Sequence, residues 1–174
     1  KAAFENGRWQ ESSAYTDFRG ANFIVASISG RIFRIDLGTL QVIDLSTTSG
    51  ESNPDNQDQV WMVRAEEFLI IQDGSSIPLI FNGVSLRRSR PSSTTTESEV
   101  PIGSVMAYNK GRLWVTLPDR KSFVAGDLAY SLTQSTADIL SFTENTFLNG
   151  GGAFVVGENA GDIVAMRSIA IQDT

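Results

Sequence analysis

The chain contains the stretch WMVRAEEFLIIQDGSSIPLIFN (residues 61–82), which lies over residues 105–126 at a constant offset of 44 residues without a gap. The match is one of residue class: apolar residues 69–71 fall on 113–115, and 79–82 fall on 123–126. A third stretch, residues 24–43, matches residues 61–80 at an offset of 37. The chain is therefore interpreted as a repeat protein.

The period identifies the kind of repeat. About 40 to 45 residues with several short strands is the size of a β-propeller blade. Segments rich in β-branched and aromatic residues predict nine strands, over residues 23–27, 31–35, 40–45, 60–64, 68–72, 77–81, 105–108, 112–116 and 122–125. Turn formers separate them, including Ser29-Gly30, Asp73-Gly74-Ser75 and Asn109-Lys110-Gly111. The sequence predicts an all-β protein of short antiparallel strands.

The predicted blades span approximately residues 22–46, 60–84 and 104–130, and a further blade starts at 161–174. Closed propellers use about four to eight blades. We therefore expect residues 1–174 to be a single segment of a β-propeller domain in a longer chain. The form Ser135-x-x-Asp138 before apolar residues is typical of a helix start, and it predicts one short helix near residues 136–148.

Composition excludes several kinds of chemistry. The 174 residues include no histidine and no cysteine, so neither a Ser-His-Asp triad nor a thiolate site can form. No apolar run approaches the roughly 18 to 20 residues that cross a bilayer, and we expect a soluble protein with no membrane partner. A net charge of −6 disfavours tight binding to nucleic acid.

Carboxylates are the remaining candidates for catalysis. Three pairs have spacings of interest: Glu66-Glu67, Asp55 with Asp58, and Asp119 with Asp127. We interpret them as solvated turn charges and predict no catalytic residue, so that the protein is not an enzyme. Residues 49–59 resemble a calcium loop but lack the EF-hand glycine and glutamate; we predict neither a metal nor a cofactor, although a calcium site of another type stays open.

One low-complexity tract contains Arg87, Arg88 and Arg90, followed by a Ser/Thr-rich run. The composition predicts a solvated loop between blades. The functional hypothesis for these three arginines is a contact with a neighbouring subunit. Trp61 and Trp114 lie within predicted strands, which favours core packing over a platform for sugar stacking.

Three runs resemble virion structural proteins of tailed bacteriophages, of the propeller-containing tail nozzle (tubular protein B) type. They are IGSVMAYNKGRLWV (102–115), SFVAGDL (122–128) and FTENTFLNGGGAF (142–154). The resemblance covers roughly residues 60–174. It implies a virion tail protein that forms a ring of identical copies, contacts neighbouring tail proteins such as the adaptor and fibres, and surrounds the channel through which viral DNA leaves without specific binding.

Two other functions fit the same repeats. One is a carbohydrate-binding or depolymerising propeller of a phage host-recognition protein, and the other is a cellular propeller that docks protein partners.

Overall fold

The computed structural model describes residues 2–89, 99–129, 139–140, 152–156 and 160–169. A helix, α1 (Ala2–Asn6), precedes a four-stranded sheet of β1 (Trp9–Thr16), β2 (Asn22–Ile28), β3 (Arg31–Asp36) and β4 (Val42–Asp44). Helix α2 (Leu45–Ser49) leads to the second sheet, which comprises β5 (Trp61–Ala65), β6 (Phe68–Gln72), β7 (Leu79–Phe81) and β8 (Leu86–Arg88). The third sheet comprises β9 (Met106–Asn109), β10 (Arg112–Thr116), β11 (Ser122–Ala129), β12 (Ile139–Leu140) and β13 (Gly152–Val155).

All strand pairs are antiparallel. The order follows the chain in the first two sheets and from β9 to β12 in the third, where β13 pairs with β11. One two-residue turn in each sheet sets the register: Ser29-Gly30, Glu66-Glu67 and Lys110-Gly111. The first residue of each turn has positive φ, at +48°, +53° and +51°. Positive φ at a hairpin turn matches the twist of the flanking strands. The all-β class and the predicted turns are confirmed.

The second sheet lies between the other two and is buried on both faces. Leu69 and Ile71 point towards the first sheet, where they pack with Tyr15 and Val25. The alternate residue Ile70 points the other way and packs in a cluster with residues of the third sheet. Burying a side chain of this size contributes roughly 1.5 to 3 kcal/mol. Consecutive apolar residues in β6 therefore pack alternately against the first sheet and the third sheet.

The first strands of the three sheets lie next to one another, because β1 contacts β5 and β5 contacts β9. This is the relation expected for the innermost strands of consecutive propeller blades. Closure into a complete propeller stays a prediction.

Each connection between sheets crosses the same end of the stack, at the turn between the second and third strands. Asn53 N–H donates to Gly30 O (2.8 Å) at the turn between β2 and β3, and Gly103 N–H donates to the side-chain oxygen of Gln72 at the end of β6. The outer strands leave their sheets at the same end: Ser89 N–H donates to Pro78 O (2.8 Å) and Val156 N–H to Lys121 O (2.9 Å), which extends the β7–β8 and β11–β13 ladders by one pair each. The crossings place each connection where it can return to the inner strand of the next sheet.

The structure differs from the sequence prediction in several elements. The first sheet also contains β1, which precedes the predicted start at residue 22, and both observed helices lie where none was predicted. The loop prediction for the arginine tract is wrong at Leu86–Arg88, because these residues pair with Leu79–Phe81 as a fourth strand. The helix prediction is wrong at Ile139–Leu140, which pair with Leu128–Ala129; other residues of 136–148 lie outside the described ranges.

Within the described part of the chain, neither helix has the length and apolarity needed to cross a membrane.

The crossing at Gly30 gives a test of the stack. A Cβ at Gly30 would lie 2.1 Å from Asn53 O, whereas at Gly111 it would meet nothing within 4 Å. Both glycines end a two-residue hairpin turn, with φ of +77° and +78°. We expect Gly111→Ala to lower the free energy of unfolding by about 1 to 2 kcal/mol through backbone strain. Gly30→Ala carries the same strain plus displacement of the connection, and should lose more than about 3 kcal/mol in urea titrations. Equal losses would contradict the crossing geometry.

Candidate functional site

The two described arginines of the tract point to opposite faces of the second sheet. Neighbouring residues of a strand alternate between faces, and Arg87 lies opposite Ile80 while Arg88 lies opposite Leu79. Arg87 donates from both terminal nitrogens to Glu99, at 2.8 Å each. The Glu99 side chain is 2% exposed and that of Arg87 is 25% exposed. A bidentate pair of this kind fixes the connection that leads to the third sheet.

Arg88 fixes the other connection. Its Nε donates to Glu51 (3.0 Å), and a terminal nitrogen donates to the side chain of Asn53 (2.6 Å) and to Ile77 O (2.6 Å). It also donates to Ser52 O. The guanidinium thus joins the connection between the first two sheets to the β6–β7 turn at one end of the second sheet. A planar guanidinium has five N–H groups on three nitrogens and reaches all four acceptors, whereas a lysine has three donors on one nitrogen.

These pairs locate the arginines that the sequence analysis assigned to a subunit contact. Arg87 and Arg88 are engaged within the chain, and Arg90 lies outside the described residues. Contact with a neighbouring subunit stays a prediction for all three.

The Glu66-Glu67 turn is held by a tyrosine from each neighbouring sheet. Tyr15 of β1 donates to Glu67 O, and Tyr108 of β9 donates to the carboxylate of Glu66. Burial raises the pKa of Tyr15, so its hydroxyl remains a donor at neutral pH. The Glu66-Glu67 turn, the first candidate carboxylate pair, is therefore bonded to the first strands of both neighbouring sheets, β1 and β9.

A guanidinium occupies the calcium-like loop of residues 49–59. Arg8 donates to the Asp58 carboxylate (2.6 Å), to Gln57 O (2.7 Å) and to Asp55 O. Gln10 donates to the same Gln57 carbonyl (2.7 Å). Across the described ranges, no group of three or more acidic side chains could hold a metal ion. One carboxylate and two backbone carbonyls of the loop thus bind a protein cation.

Asp119 belongs to a series of carboxylates that accept backbone N–H groups two and three residues ahead. Its Oδ1 accepts from Lys121 N (3.0 Å) and Ser122 N (2.9 Å). The hydrogen bond from the Ser122 hydroxyl, together with these two backbone bonds, lowers the pKa of Asp119. Asp127 lies opposite Arg112 in the β10–β11 register; its side chain is outside the described part. A carboxylate held ionised in a turn serves the turn and is poorly suited to donate a proton.

Asp73 repeats this arrangement in the second sheet. Its Oδ1 accepts from Ser75 N (2.9 Å) and Ser76 N (2.6 Å). Burial raises the pKa of Asp73, but the hydrogen bonds from Ser76 and Ser75 outweigh burial and bring the pKa below its usual value. Asp36 does the same in the first sheet, where bonds from Thr39 and Gly38 lower its pKa. One turn in each of the three sheets is thus closed in the same way, by an aspartate that accepts the backbone N–H groups two and three residues ahead.

The outer face of the third sheet carries an aromatic cluster, which we call the open face: Trp114, Phe123 and Phe154. Ring centroids are 5.1 Å apart for Phe123 and Phe154, 5.9 Å for Trp114 and Phe123, and 6.0 Å for Trp114 and Phe154. Trp114 points away from the second sheet, and Phe154 is 40% exposed. The expectation that Trp114 packs in a core is met only in part, because its neighbours are the rings of this partly exposed face.

A groove of about 590 Å³ lies along the open face. Ala107, Trp114 and Phe123 line one side, and residues 162–168 line the other. Its polar lining includes Asn109, Asp162 and Arg167. The groove combines an apolar floor with charges of both signs, as protein interfaces do. The sequence signal for this face was one aromatic residue in each of β10 and β11, Trp114 and Phe123, which predicted burial without indicating what would cover them.

Comparison of the chain with models of protein families, with curated proteins and with solved structures finds no match.

The buried pair of Arg87 and Glu99 gives a stability prediction. Arg87→Met removes the guanidinium from a buried carboxylate, and we expect the free energy of unfolding to fall by about 3 to 5 kcal/mol. The matched control is Arg120→Met. Arg120 and Asp162 are about half exposed and lie 3.7 Å apart, so this loss should stay below about 1 kcal/mol. Similar small losses for both variants, measured by urea denaturation, would refute a structural role for Arg87.

The turn carboxylates predict acid sensitivity. Because the folded pKa of Asp73 is depressed, its contribution to stability is present above the unfolded value of about 3.9 and is lost as pH falls through the folded pKa. Asp73→Asn keeps an oxygen acceptor but no charge, so stability should fall less steeply below about pH 4. Asn82 accepts from Val84 N and Ser85 N in the same way, and Asn82→Asp should add acid sensitivity. Unfolding free energies between pH 2 and 6 test both; unchanged slopes would oppose the assignment.

Proposed function

We propose that this protein is a structural, non-enzymatic component of a tailed-bacteriophage virion, of the tail nozzle type, whose copies assemble into a ring around the DNA exit channel. The observation that carries the proposal is a stack of sheets that ends on the open face. An apolar cluster beside a groove is suited to packing against another folded surface. The resemblance of residues 102–115 and 122–128 to virion proteins suggests that this packing takes place in a virion.

The charged groups also support a structural role. Glu66, Arg88 and Asp119 each have partners that join sheets or close turns. Catalytic carboxylates need a site where a substrate can reach them and a pKa suited to proton transfer. These three residues instead stabilise the framework.

The overall charge suits a conduit for DNA. The chain carries a net charge of −6. Phosphates bind basic surfaces by releasing counterions, and such binding would retard passage. An acidic scaffold allows a polyanion to pass without being retained.

The ring geometry of the open face disfavours the carbohydrate alternative. The planes of Phe123 and Phe154 are 19° apart and their centroids 5.1 Å apart, so one face of each ring is occupied by the other ring. Stacking on a ligand needs a free ring face. The cluster is better suited to packing between sheets than to holding a sugar.

The proposal predicts where the protein resides. We expect mass spectrometry to find it in purified virions and negative-stain electron microscopy of the full-length protein to show rings with a central hole. Asp119→Asn should leave the rings unchanged, because an amide oxygen can still accept both turn N–H groups. Absence from virions together with discrete monomers at high concentration would overturn the proposal. Specific binding on a glycan array would favour the carbohydrate alternative.

A further inference from the structure

Residues 162–168, which we call the edge segment, run beside the open face. The segment begins at Asp162, whose carboxylate lies 3.7 Å from Arg120, and Ile163 N–H donates to Arg120 O (2.7 Å). Ile163 and Met166 are half-buried along the groove, while Val164 is 72% exposed. The segment thus adds a second apolar surface to the open face.

Within the described ranges, the backbone of the edge segment has no strand partner. Among the described residues, the segment belongs to neither a helix nor a strand pair, and its one backbone hydrogen bond is that of Ile163. Exposed N–H and C=O groups beside an apolar face are a template for an added strand. The inner strands show the same placement, since β5 lies against β1 and β9 against β5. The groove beside β9 is lined by Ala107 and by the edge segment.

We propose that the open face and the edge segment together form a self-association surface, occupied by the same surface of a second copy of this chain. The proposal goes beyond the assembly role proposed above, because a two-fold contact joins copies in pairs and does not by itself close a ring. The edge segment has an acidic end, Asp162, an apolar middle and a basic residue, Arg167. When two such segments pair antiparallel about a two-fold axis, the acidic end of one lies beside the basic end of the other.

The composition of the surface favours a copy of this chain over an unrelated partner. A purely basic or acidic partner would match only one of Asp162 and Arg167, whereas a second edge segment matches both. An aromatic face is best covered by another sheet or strand at the usual packing distance of about 10 Å. The second copy supplies its own aromatic cluster, so both open faces lose contact with water in one step.

Light scattering tests the surface with a pair of matched variants. The chain has a mass of 18.9 kDa, and we expect the measured mass to rise towards twice that value as concentration increases. Val164→Asp places a charge in the paired edge and should weaken association at least tenfold. Val84→Asp is the control, because Val84 is 74% exposed in the turn between β7 and β8, at the other end of the sheets from the connections. Its association should equal that of the unsubstituted chain.

Cross-linking gives a second readout. The chain has no cysteine, so a single Ala165→Cys substitution places one thiol in the middle of the edge segment. Oxidation should give a covalent dimer in high yield, and Val84→Cys should not.

A mass of one copy at every concentration, or equal association of the two aspartate variants, would overturn the self-association surface. Either result leaves virion mass spectrometry as a separate test of the proposed function. Conversely, a dimer that is sensitive at Val164 in a protein missing from virions would support the surface and refute the virion role.

Discussion

The second sheet depends on being covered on both faces. Its central strand has apolar side chains at four consecutive positions, residues 68–71, all of them buried. A strand of this composition would expose two of them to water if either neighbouring sheet moved away, at a cost of roughly 1.5 to 3 kcal/mol for each side chain. The connections, the paired arginines and the inner tyrosines all act at the borders of this sheet. Their common effect is to keep two sheets in contact with one central layer.

Polar residues give the stack its alignment, which apolar contact alone would leave free to slide. Arg88 acts at the end of the second sheet that carries the β6–β7 turn. Tyr15 and Tyr108 act at the opposite end, at the Glu66-Glu67 turn. Contacts at both ends restrict rotation of one sheet over another. Gly30 adds a steric limit, because the connection passes too close to its backbone for any side chain. Directional bonds specify the geometry, and burial provides most of the driving force.

The sequence predicted the elements whose signals are local. The turns at Ser29-Gly30 and Lys110-Gly111 and the strands beside them follow from residue type and alternation. Strand β1 was missed because its sequence is largely polar, and β8 because two of its three residues are arginines. The ion pairs were not predictable, since Arg88 meets Glu51 across 37 positions only when β8 is a strand. Pairing that depends on tertiary packing leaves no pattern in a single sequence.

The two ends of the stack differ in how their apolar faces are treated. On the outer face of the first sheet, Phe4 of α1 packs against Phe33 with centroids 5.5 Å apart. This helix covers part of a small cluster, much as a capping element covers the end of a repeat array. The open face of the third sheet has no helix over it among the described residues, and only the edge segment lies beside it. A stack with one end capped and the other open has a direction, and it is at the open end that further β-structure would extend it.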